Sequence, residues 1–285
     1  MIEKIVLTGA AGKLARRLRA PLSLLCRQLV VADIVPLEAT GNETAVQLDL
    51  SDAAAVDALL QGVDTVVHFA GYPREAAWAT LIPANIVAVT HLWEAALKHG
   101  VRRIVYASTN HVVGMYPVDR KVDVAAELKC DSRYGVSKAF TETVARFYYE
   151  KFGLESLGIR IGRCEDEASD ERMLSTWIHP QDLATLVQLG ITHPVAADVV
   201  YGVSENSQGW CVNPPFEQFP YRPQHSADAF ADRIEAAKPP TAKRWPLQGG
   251  PFADYEFVGE SARAANFYRA SYATFPLPKS PHGND

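Results

Sequence analysis

The chain has 285 residues, of which 48% are hydrophobic and 21% charged, and its formal net charge is −5 at pH 7. A chain of this size and composition can bury a complete core as one large domain. Its acidic balance argues against nucleic acid or an anionic membrane as a partner, because both carry negative charge.

The first half of the chain alternates short β-branched runs with longer stretches of helical periodicity. This pattern is typical of a parallel sheet with helices on both faces. It predicts strands over residues 4–8, 28–32, 44–49, 65–70, 103–108 and 156–161. The predicted helices cover residues 14–25, 53–60, 78–98 and 134–152. We therefore predict an α/β fold with a Rossmann-type, doubly wound parallel sheet.

The second half is less regular, and Pro, Gly and Asn become frequent around residues 202–222. Helical patterns recur at residues 179–190 and 226–237, and the proline-rich end at 276–285 is expected to be loose. We predict a single integrated domain in which residues 1–162 form the Rossmann core. Residues 163–285 then supply a smaller substrate-binding lobe and the C-terminal tail.

A glycine-containing turn, TGAAGKLA, follows the first predicted strand and opens the first predicted helix. Glycines permit a tight turn and let backbone N–H groups approach a pyrophosphate at a helix N-terminus. The third glycine of the usual pattern is replaced by Ala15, which the helix–strand contact tolerates. A purely structural turn is the alternative. The predicted pyrophosphate-binding residues are Gly9, Ala11, Gly12, Lys13 and Leu14.

Asp33 ends the second predicted strand, about twenty residues after the glycine turn. A carboxylate there can accept both ribose hydroxyls of an adenosine and would repel a 2′-phosphate, so the sequence favours NAD over NADP as cofactor. The alternative is an aspartate that merely begins a loop. Further cofactor contacts are predicted after the third and fourth strands, at Asp49, Leu50, Phe69, Ala70 and Gly71.

Tyr134 and Lys138 are four residues apart in the segment YGVSK, so both side chains project from one face of a helix. A nearby ammonium and an oxidised nicotinamide would favour the tyrosine phenolate and make it a base near neutral pH. Alone, this spacing is common in structural helices. Here it accompanies the glycine turn, the acid after the second strand, and AST at residues 107–109.

These elements occur in the order found in one known family. From residue 1 to about 202 the chain resembles the extended short-chain dehydrogenases/reductases. The resemblance implies that Thr109, Tyr134 and Lys138 are catalytic, with Tyr134 removing a hydroxyl proton, Lys138 holding the nicotinamide ribose, and Thr109 steadying the reacting oxygen. It also implies that Asn85 kinks its helix and supports the lysine through water.

Several segments look like those of bacterial uronate dehydrogenases, a family that oxidises the anomeric hydroxyl of a hexuronic acid to a lactone. They are ASTNHVVG (107–114), YGVSK (134–138), RMLSTW (172–177), YRPQ (221–224) and QGGPF (248–252). By this resemblance Arg172 clamps the sugar carboxylate, for which a guanidinium is suited, and Asn110 and His111 bond ring hydroxyls. If the resemblance is set aside, Arg172 is a surface cation beside Asp170 and Glu171.

Two positions depart from the expected pattern of uronate dehydrogenases, which have a small serine at each. This chain has Pro73 within YPR and Arg163 after RIG, and both are predicted to contact substrate. If Arg163 points inward, two guanidiniums suit a sulfonate, and the substrate is sulfoquinovose. The alternative is that Arg163 pairs with Glu165, Asp166 or Glu167 in the following acidic loop.

A protein of another class, a non-catalytic NAD-binding sensor or scaffold, is the competing hypothesis, although such proteins have often lost the tyrosine or lysine. The predicted partner is a small acidic sugar, and the family implies a homodimer that pairs helices 78–98 and 134–152. Four widely spaced cysteines, no histidine cluster, no leader and no segment of membrane-spanning length predict a cytoplasmic protein without a metal site or a membrane anchor.

Overall fold

A computed structural model describes residues 2–239 and 244–263. A parallel sheet dominates the fold. Within the described residues the strands are β1 (Ile2–Thr8), β2 (Cys26–Asp33), β3 (Glu43–Gln47), β4 (Thr65–His68), β5 (Arg103–Thr109), β6 (Val122–Asp123), β7 (Glu155–Ile161), β8 (Arg163–Cys164), β9 (Trp177–Ile178), β10 (Ala197–Gly202) and β11 (Cys211–Val212). Seven of them form the central sheet in the order β10-β7-β5-β4-β1-β2-β3, and every neighbouring pair is parallel.

Helices connect the strands and cover both faces of the sheet. They are α1 (Lys13–Ser23), α2 (Ala53–Leu59), α3 (Trp78–Leu81), α4 (Ala88–Lys98), α5 (Arg133–Phe152), α6 (Met173–Thr176), α7 (Pro180–Thr192), α8 (Ala231–Ala237) and α9 (Pro251–Asp254). A π-helical turn, Ile82–Val87, joins α3 to α4, and short 3₁₀ turns lie at Asn110–Val113 and Ala227–Phe230.

Side chains of the central strands alternate between two buried layers. On β1, Ile5 and Leu7 pack into the layer that contains α1 and α7, whereas Val6 packs into the layer that contains α2, α4 and α5. Alternation follows from the two-residue period of a strand, and helices on both faces explain why these strands are apolar throughout. The predicted doubly wound Rossmann-type fold is confirmed.

The expectation that no segment reaches membrane-spanning length is wrong for one helix. The 21 residues Trp78–Lys98 are long and apolar enough to cross a bilayer by length and composition. In the structure one face of this helix packs into the core, where Leu92 and Trp93 are fully buried against the sheet, whereas Trp78 and Ile82 are exposed. Packing within the protein therefore accounts for the apolar residues on its buried face.

The strand β10 is absent from the sequence-based prediction, although its segment ADVVYG has a short β-branched run. It pairs with β7 and completes one edge of the sheet. Residues beyond 162 therefore contribute both to the sheet and to the irregular part of the molecule. The division at residue 162 into core and lobe stays a prediction.

A buried ion pair fastens α5 to the sheet. The Arg160 guanidinium on β7 donates to the Glu142 carboxylate on α5 at 2.9 and 3.0 Å, and Ser108 on β5 donates to the same carboxylate at 2.6 Å. Glu142 is two helical turns after Tyr134 on the same face of α5. The network therefore holds the predicted catalytic helix at a defined position against β5 and β7.

Candidate active site

A cavity of about 1680 Å³ opens at the carboxyl ends of the central strands. Ligands of doubly wound proteins bind at this edge, where the loops after successive strands converge. The structure brings all the predicted site residues except Asn85 to the wall of this one cavity. Among the described residues, no group of three or more His, Cys, Asp and Glu side chains is placed to hold a metal ion.

The glycine turn has the geometry that a dinucleotide requires. Gly9 has φ +70°, and a Cβ on it would lie 2.6 Å from the Ala70 backbone nitrogen, so only glycine lets the ends of β1 and β4 approach this closely. Gly12 is the N-cap of α1 and makes no side-chain capping bond, and the first turn of α1 contains no acidic residue. The helix N-terminus is thus open to an anion.

Asp33 lies where the prediction placed it, at the end of β2 beside the glycine turn. Its Oδ2 accepts a hydrogen bond from the Ala11 backbone N–H at 2.9 Å, and its Oδ1 accepts one from Val35 N–H at 3.2 Å. These bonds orient the carboxylate, and each oxygen keeps a further acceptor position for a ribose hydroxyl. Residues Gly9 to Leu14 and Asp33 therefore fit the adenosine and pyrophosphate of NAD.

Thr109, Tyr134 and Lys138 meet at the centre of the cavity and are nearly buried, with 4%, 9% and 7% of their surface exposed. The Thr109 hydroxyl lies close enough to the Tyr134 hydroxyl to lower the pKa of the tyrosine. Thr109 ends β5, and the other two residues lie on the first turns of α5, so regular structure positions all three.

The electrostatics of this group differ from the expectation that the ammonium lowers the pKa of the tyrosine. Burial raises the pKa of Tyr134 to about 12, and the nearby Thr109 hydroxyl only partly opposes this rise. Burial also lowers the pKa of Lys138 to about 8. Desolvation disfavours the charged form of each group, and the nearby carboxylate of Asp131 raises the pKa of Tyr134 further.

Asn85 does not line the cavity but lies directly behind it, in the π-helical turn. Its side chain accepts a hydrogen bond from Tyr72 N–H at 2.7 Å and donates to Ser137 Oγ at 2.9 Å. A Cβ on Gly71 would lie 2.8 Å from Asn85 Oδ1 and 3.7 Å from Lys138 Nζ. Asn85 thus lies within the interruption of its helix and ties the loop after β4 to α5, while its support of Lys138 stays a prediction.

Arg172 is oriented into the cavity from the residue that precedes α6. Its Nε donates to the Gln248 carbonyl oxygen at 2.8 Å, while its Nη2 is buried and has no hydrogen-bond partner among the described residues. The neighbouring Glu171 is paired with Lys238 at 2.9 Å. Arg172 is therefore not a surface cation neutralised by Glu171, and leaving its buried N–H without a partner is costly unless a ligand satisfies it.

Arg163 has a different environment from Arg172. Its side chain is 63% exposed and pairs with Glu165 at 3.3 Å, as in the alternative that the sequence left open. Glu165 also pairs with Lys13 of the glycine turn, and the next residue, Asp166, binds Arg17 at 2.6 Å. The acidic loop thus lies against the N-terminal half of α1 and holds Arg163 at the rim of the cavity.

Pro73 and Asn110 also reach the cavity, from the loop after β4 and from the 3₁₀ turn after β5. Beside them, the structure reveals a residue that the sequence analysis missed. The carboxylate of Asp131 is fully buried and hydrogen-bonded to His111 Nδ1 at 2.7 Å. No local motif marks this aspartate. The one available signal was its place immediately before Ser132, the N-cap of the catalytic helix.

Comparisons with known proteins agree with this site. A model of the NAD dependent epimerase/dehydratase family matches residues 5–181. The uronate dehydrogenase of Pseudomonas putida is 40% identical over 256 residues, which cover 88% of this chain and 96% of that protein. A crystal structure of a mutant uronate dehydrogenase from Agrobacterium tumefaciens complexed with NAD superposes with a TM-score of 0.86 at 37% identity, over 91% of this chain and 100% of that one.

The glucuronic acid dehydrogenase structure from Chromohalobacter salexigens has the same TM-score, 0.86, at 35% identity, over 92% of this chain and 99% of that one. Fold and site together define a Rossmann-type, NAD-dependent oxidoreductase. The chain belongs to the NAD dependent epimerase/dehydratase family, the extended short-chain dehydrogenases/reductases.

Proposed function

We propose that this protein oxidises the anomeric hydroxyl of a hexuronic acid to its lactone, with NAD as the hydride acceptor. One observation carries the proposal: the buried Nη2 of Arg172, which lacks a partner among the described residues, shares a cavity with the Thr109–Tyr134–Lys138 group. A carboxylate on the guanidinium would fix the sugar relative to the tyrosine. The likeness to uronate dehydrogenases over most of the chain supports the same substrate class.

In this mechanism Tyr134 removes the proton of the anomeric hydroxyl, and Thr109 hydrogen-bonds the reacting oxygen. Because burial raises the pKa of Tyr134 to about 12, the phenol needs nearby positive charge to act as a base. Lys138 supplies one such charge and also holds the nicotinamide ribose. NAD, when bound, takes up the hydride and contributes the redox chemistry.

The remaining predicted residues divide between the two ligands. Gly9, Ala11, Gly12, Lys13, Leu14 and Asp33 would hold the pyrophosphate and the adenosine ribose, and Asp49, Leu50, Phe69, Ala70 and Gly71 would complete the cofactor site. Pro73, Asn110 and His111 would contact the sugar ring, while Asn85 would support Lys138 from behind.

Uronate has more support than sulfoquinovose. The sulfonate hypothesis needs Arg163 beside Arg172, but Arg163 is exposed and engaged by Glu165. One guanidinium pairs readily with the two oxygens of a carboxylate, whereas the three oxygens of a sulfonate can use further donors. The relatives named above are also dehydrogenases of uronic acids.

The test follows NADH absorbance with purified protein and NAD. Glucuronate, galacturonate, sulfoquinovose and glucose are offered separately, with Tyr134→Phe as the control for contaminating dehydrogenases. We expect turnover of the uronates and little turnover of glucose, which has the same ring but no carboxylate. Turnover confined to sulfoquinovose would indicate that Arg163 binds the substrate together with Arg172. NAD binding without turnover of any sugar would favour the non-catalytic sensor or scaffold.

We also propose that the protein is a cytoplasmic homodimer. The helix Trp78–Lys98 and α5 expose Trp78, Ile82, Val136, Phe147 and Phe152, each more than 40% accessible. Apolar side chains clustered on two helices favour pairing with a second copy. None of the four cysteines forms a disulfide, which suits a reducing compartment. Light scattering of the purified chain tests the dimer, which a monomeric mass would contradict.

A further inference from the structure

A buried carboxylate lies at the sugar end of the cavity, outside the catalytic group. The Asp131 side chain is fully buried, its Oδ2 lies 2.7 Å from His111 Nδ1, and its Oδ1 accepts a hydrogen bond from the Ser132 hydroxyl at 2.6 Å. The Asp131 backbone N–H donates to the His111 carbonyl oxygen at 3.2 Å. Asp131 and His111 are therefore joined through both side chain and backbone.

Two glycines make the space for this carboxylate. A Cβ on Gly114 would lie 1.8 Å from Asp131 Oδ2, and a Cβ on Gly249 would lie 2.0 Å from it. A small shift cannot relieve either overlap, because the two glycine segments are held by backbone hydrogen bonds. One of these bonds runs from Gly249 N–H to the Gly114 carbonyl at 2.8 Å. The absence of a side chain at both glycines thus leaves the space that the Asp131 carboxylate occupies.

The imidazole ring of His111 is held on a second side. Phe252 stacks on it with ring centroids 4.1 Å apart and an interplanar angle of 24°. Phe252 and Gly249 both belong to the segment QGGPF, whose Gln248 carbonyl also orients Arg172. One C-terminal segment therefore fixes the orientation of both sugar-site side chains, although it is more than 70 residues from either.

A carboxylate can only accept hydrogen bonds when it is ionised, so a neutral imidazole beside it carries its proton on Nδ1. The other nitrogen, Nε2, then keeps a lone pair and can only accept. His111 lines the cavity, and Nε2 has no hydrogen-bond partner among the described residues. The ring therefore presents an acceptor to the space that the sugar would occupy.

We infer that Asp131 is a positioning residue that fixes His111 in the Nδ1–H tautomer, so that Nε2 accepts a hydrogen bond from one ring hydroxyl of the sugar. This inference rests on the proposed function. It makes the protein selective for a group that donates at that ring position. Fluorine accepts hydrogen bonds weakly and never donates, so replacement of this hydroxyl by fluorine would leave Nε2 unpaired.

The kinetic test compares glucuronate with its 2-, 3- and 4-deoxyfluoro derivatives in the wild type, Asp131→Asn and His111→Ala. We call the ratio of kcat/KM for glucuronate to kcat/KM for a fluorinated derivative the fluorine penalty. The intrinsic effect of fluorine on hydride loss is the same for every variant, so it cancels when the fluorine penalties of two variants are compared. The wild type should lose roughly ten- to a hundredfold in kcat/KM for one derivative beyond that intrinsic effect. In Asp131→Asn the amide can donate to Nδ1, so the imidazole proton moves to Nε2 and Nε2 becomes a donor. The excess fluorine penalty should then fall below about threefold. We expect the same small penalty in His111→Ala, which lacks the ring.

Controls separate positioning from a structural role. Asp57→Asn removes a carboxylate that pairs with Lys98 and does not line the cavity, so this variant should retain the wild-type penalties. NAD affinity should be unchanged in Asp131→Asn. An equal fluorine penalty in the wild type and Asp131→Asn would overturn the inference, and so would the absence of any excess penalty in the wild type.

A second measurement tests the tautomer of His111 even if Asp131→Asn fails to fold or the wild type oxidises no uronate. Long-range ¹H–¹⁵N spectra of the wild type at neutral pH distinguish the two neutral tautomers, and the His111 signals are those missing from His111→Ala. We expect protonation on Nδ1 alone. Protonation on Nε2 would overturn the inference, whereas an inactive wild type with an Nδ1–H His111 would overturn only the uronate assignment.

Discussion

The two ends of the cavity are built in different ways. The cofactor end consists of residues at the carboxyl ends of regular strands and at the start of α1, within short stretches of sequence. The sugar end consists of Asp131, Arg172 and the segment QGGPF, which come from irregular parts of the chain that lie far apart in sequence. The predicted cofactor site thus rests on regular structure, and the proposed sugar site rests on loops.

Charged side chains are exposed at the cofactor end of the cavity and buried at the sugar end. At the cofactor end, Lys13 and Arg17 form exposed ion pairs with Glu165 and Asp166, which contribute little to stability. At the sugar end, the Asp131 carboxylate and the Arg172 Nη2 are buried. Buried charges are costly unless a partner compensates them, so substitutions at the sugar end should affect substrate binding more than exposed substitutions do.

The largest expected effect comes from the residue that joins the two ends. Tyr134→Phe removes the proposed base while its ring still packs near Phe252, so kcat should fall by roughly 10²- to 10⁴-fold with little change in NAD affinity. Stopped-flow turnover and NAD titration measure the two quantities. Tyr148→Phe, on the same helix but bonded to Glu94, is the matched control and should keep wild-type turnover. Equal activity of both variants would contradict the assignment of the base.

Replacing each of the two arginines by methionine tests the contrast between a buried and an exposed guanidinium. Arg172→Met should lower kcat/KM for uronates by about 10²- to 10³-fold, mainly through KM, because the carboxylate loses a charge-assisted partner in a buried site. Arg163→Met removes an exposed guanidinium and should change kcat/KM by less than about threefold. A large loss in Arg163→Met would show that this residue turns into the cavity when substrate binds.

The fold beneath the cofactor end can be tested separately from the chemistry. Glu142→Gln leaves the buried Arg160 guanidinium without its counter-charge, so we expect the free energy of unfolding to fall by about 3 kcal/mol. Urea denaturation monitored by circular dichroism measures it. Glu150→Gln breaks an exposed pair with Arg146 on the same helix and should cost less than about 0.5 kcal/mol. Similar losses in the two variants would refute the role of burial.

The smallest effect concerns pH. Burial lowers the pKa of Lys138 to about 8, so the side chain is charged below that pH and neutral above it. If the ammonium holds the nicotinamide ribose, NAD affinity should be constant below pH 7 and fall by up to about tenfold between pH 7 and 9. Isothermal titration across this range measures the change. Lys138→Met should bind NAD more weakly without that pH-dependent step, and an identical step in the variant would assign it to another group.

Much of the cofactor end was predictable from sequence because its signals are local. The glycine turn follows β1 directly, Asp33 ends β2, and Tyr134 and Lys138 are separated by one helical turn. The predicted bounds of the first six sheet strands agree with the structure to within about two residues. The strand β10 was missed because its six residues follow a region without regular alternation, so that only pairing with β7 identifies it.

The sequence by itself therefore determined the fold class, and it predicted residues for the cofactor and catalytic groups that the structure brings together in one cavity, because periodicity and adjacent motifs specify them within one element or one turn. Only the tertiary structure decided that Arg172 faces inward, that Arg163 pairs with Glu165, and that Asp131 binds His111. These outcomes depend on backbone segments that are distant in the chain, such as Gln248 against Arg172, 76 residues apart. No local pattern encodes such contacts, since they arise only when the folded core brings the segments together.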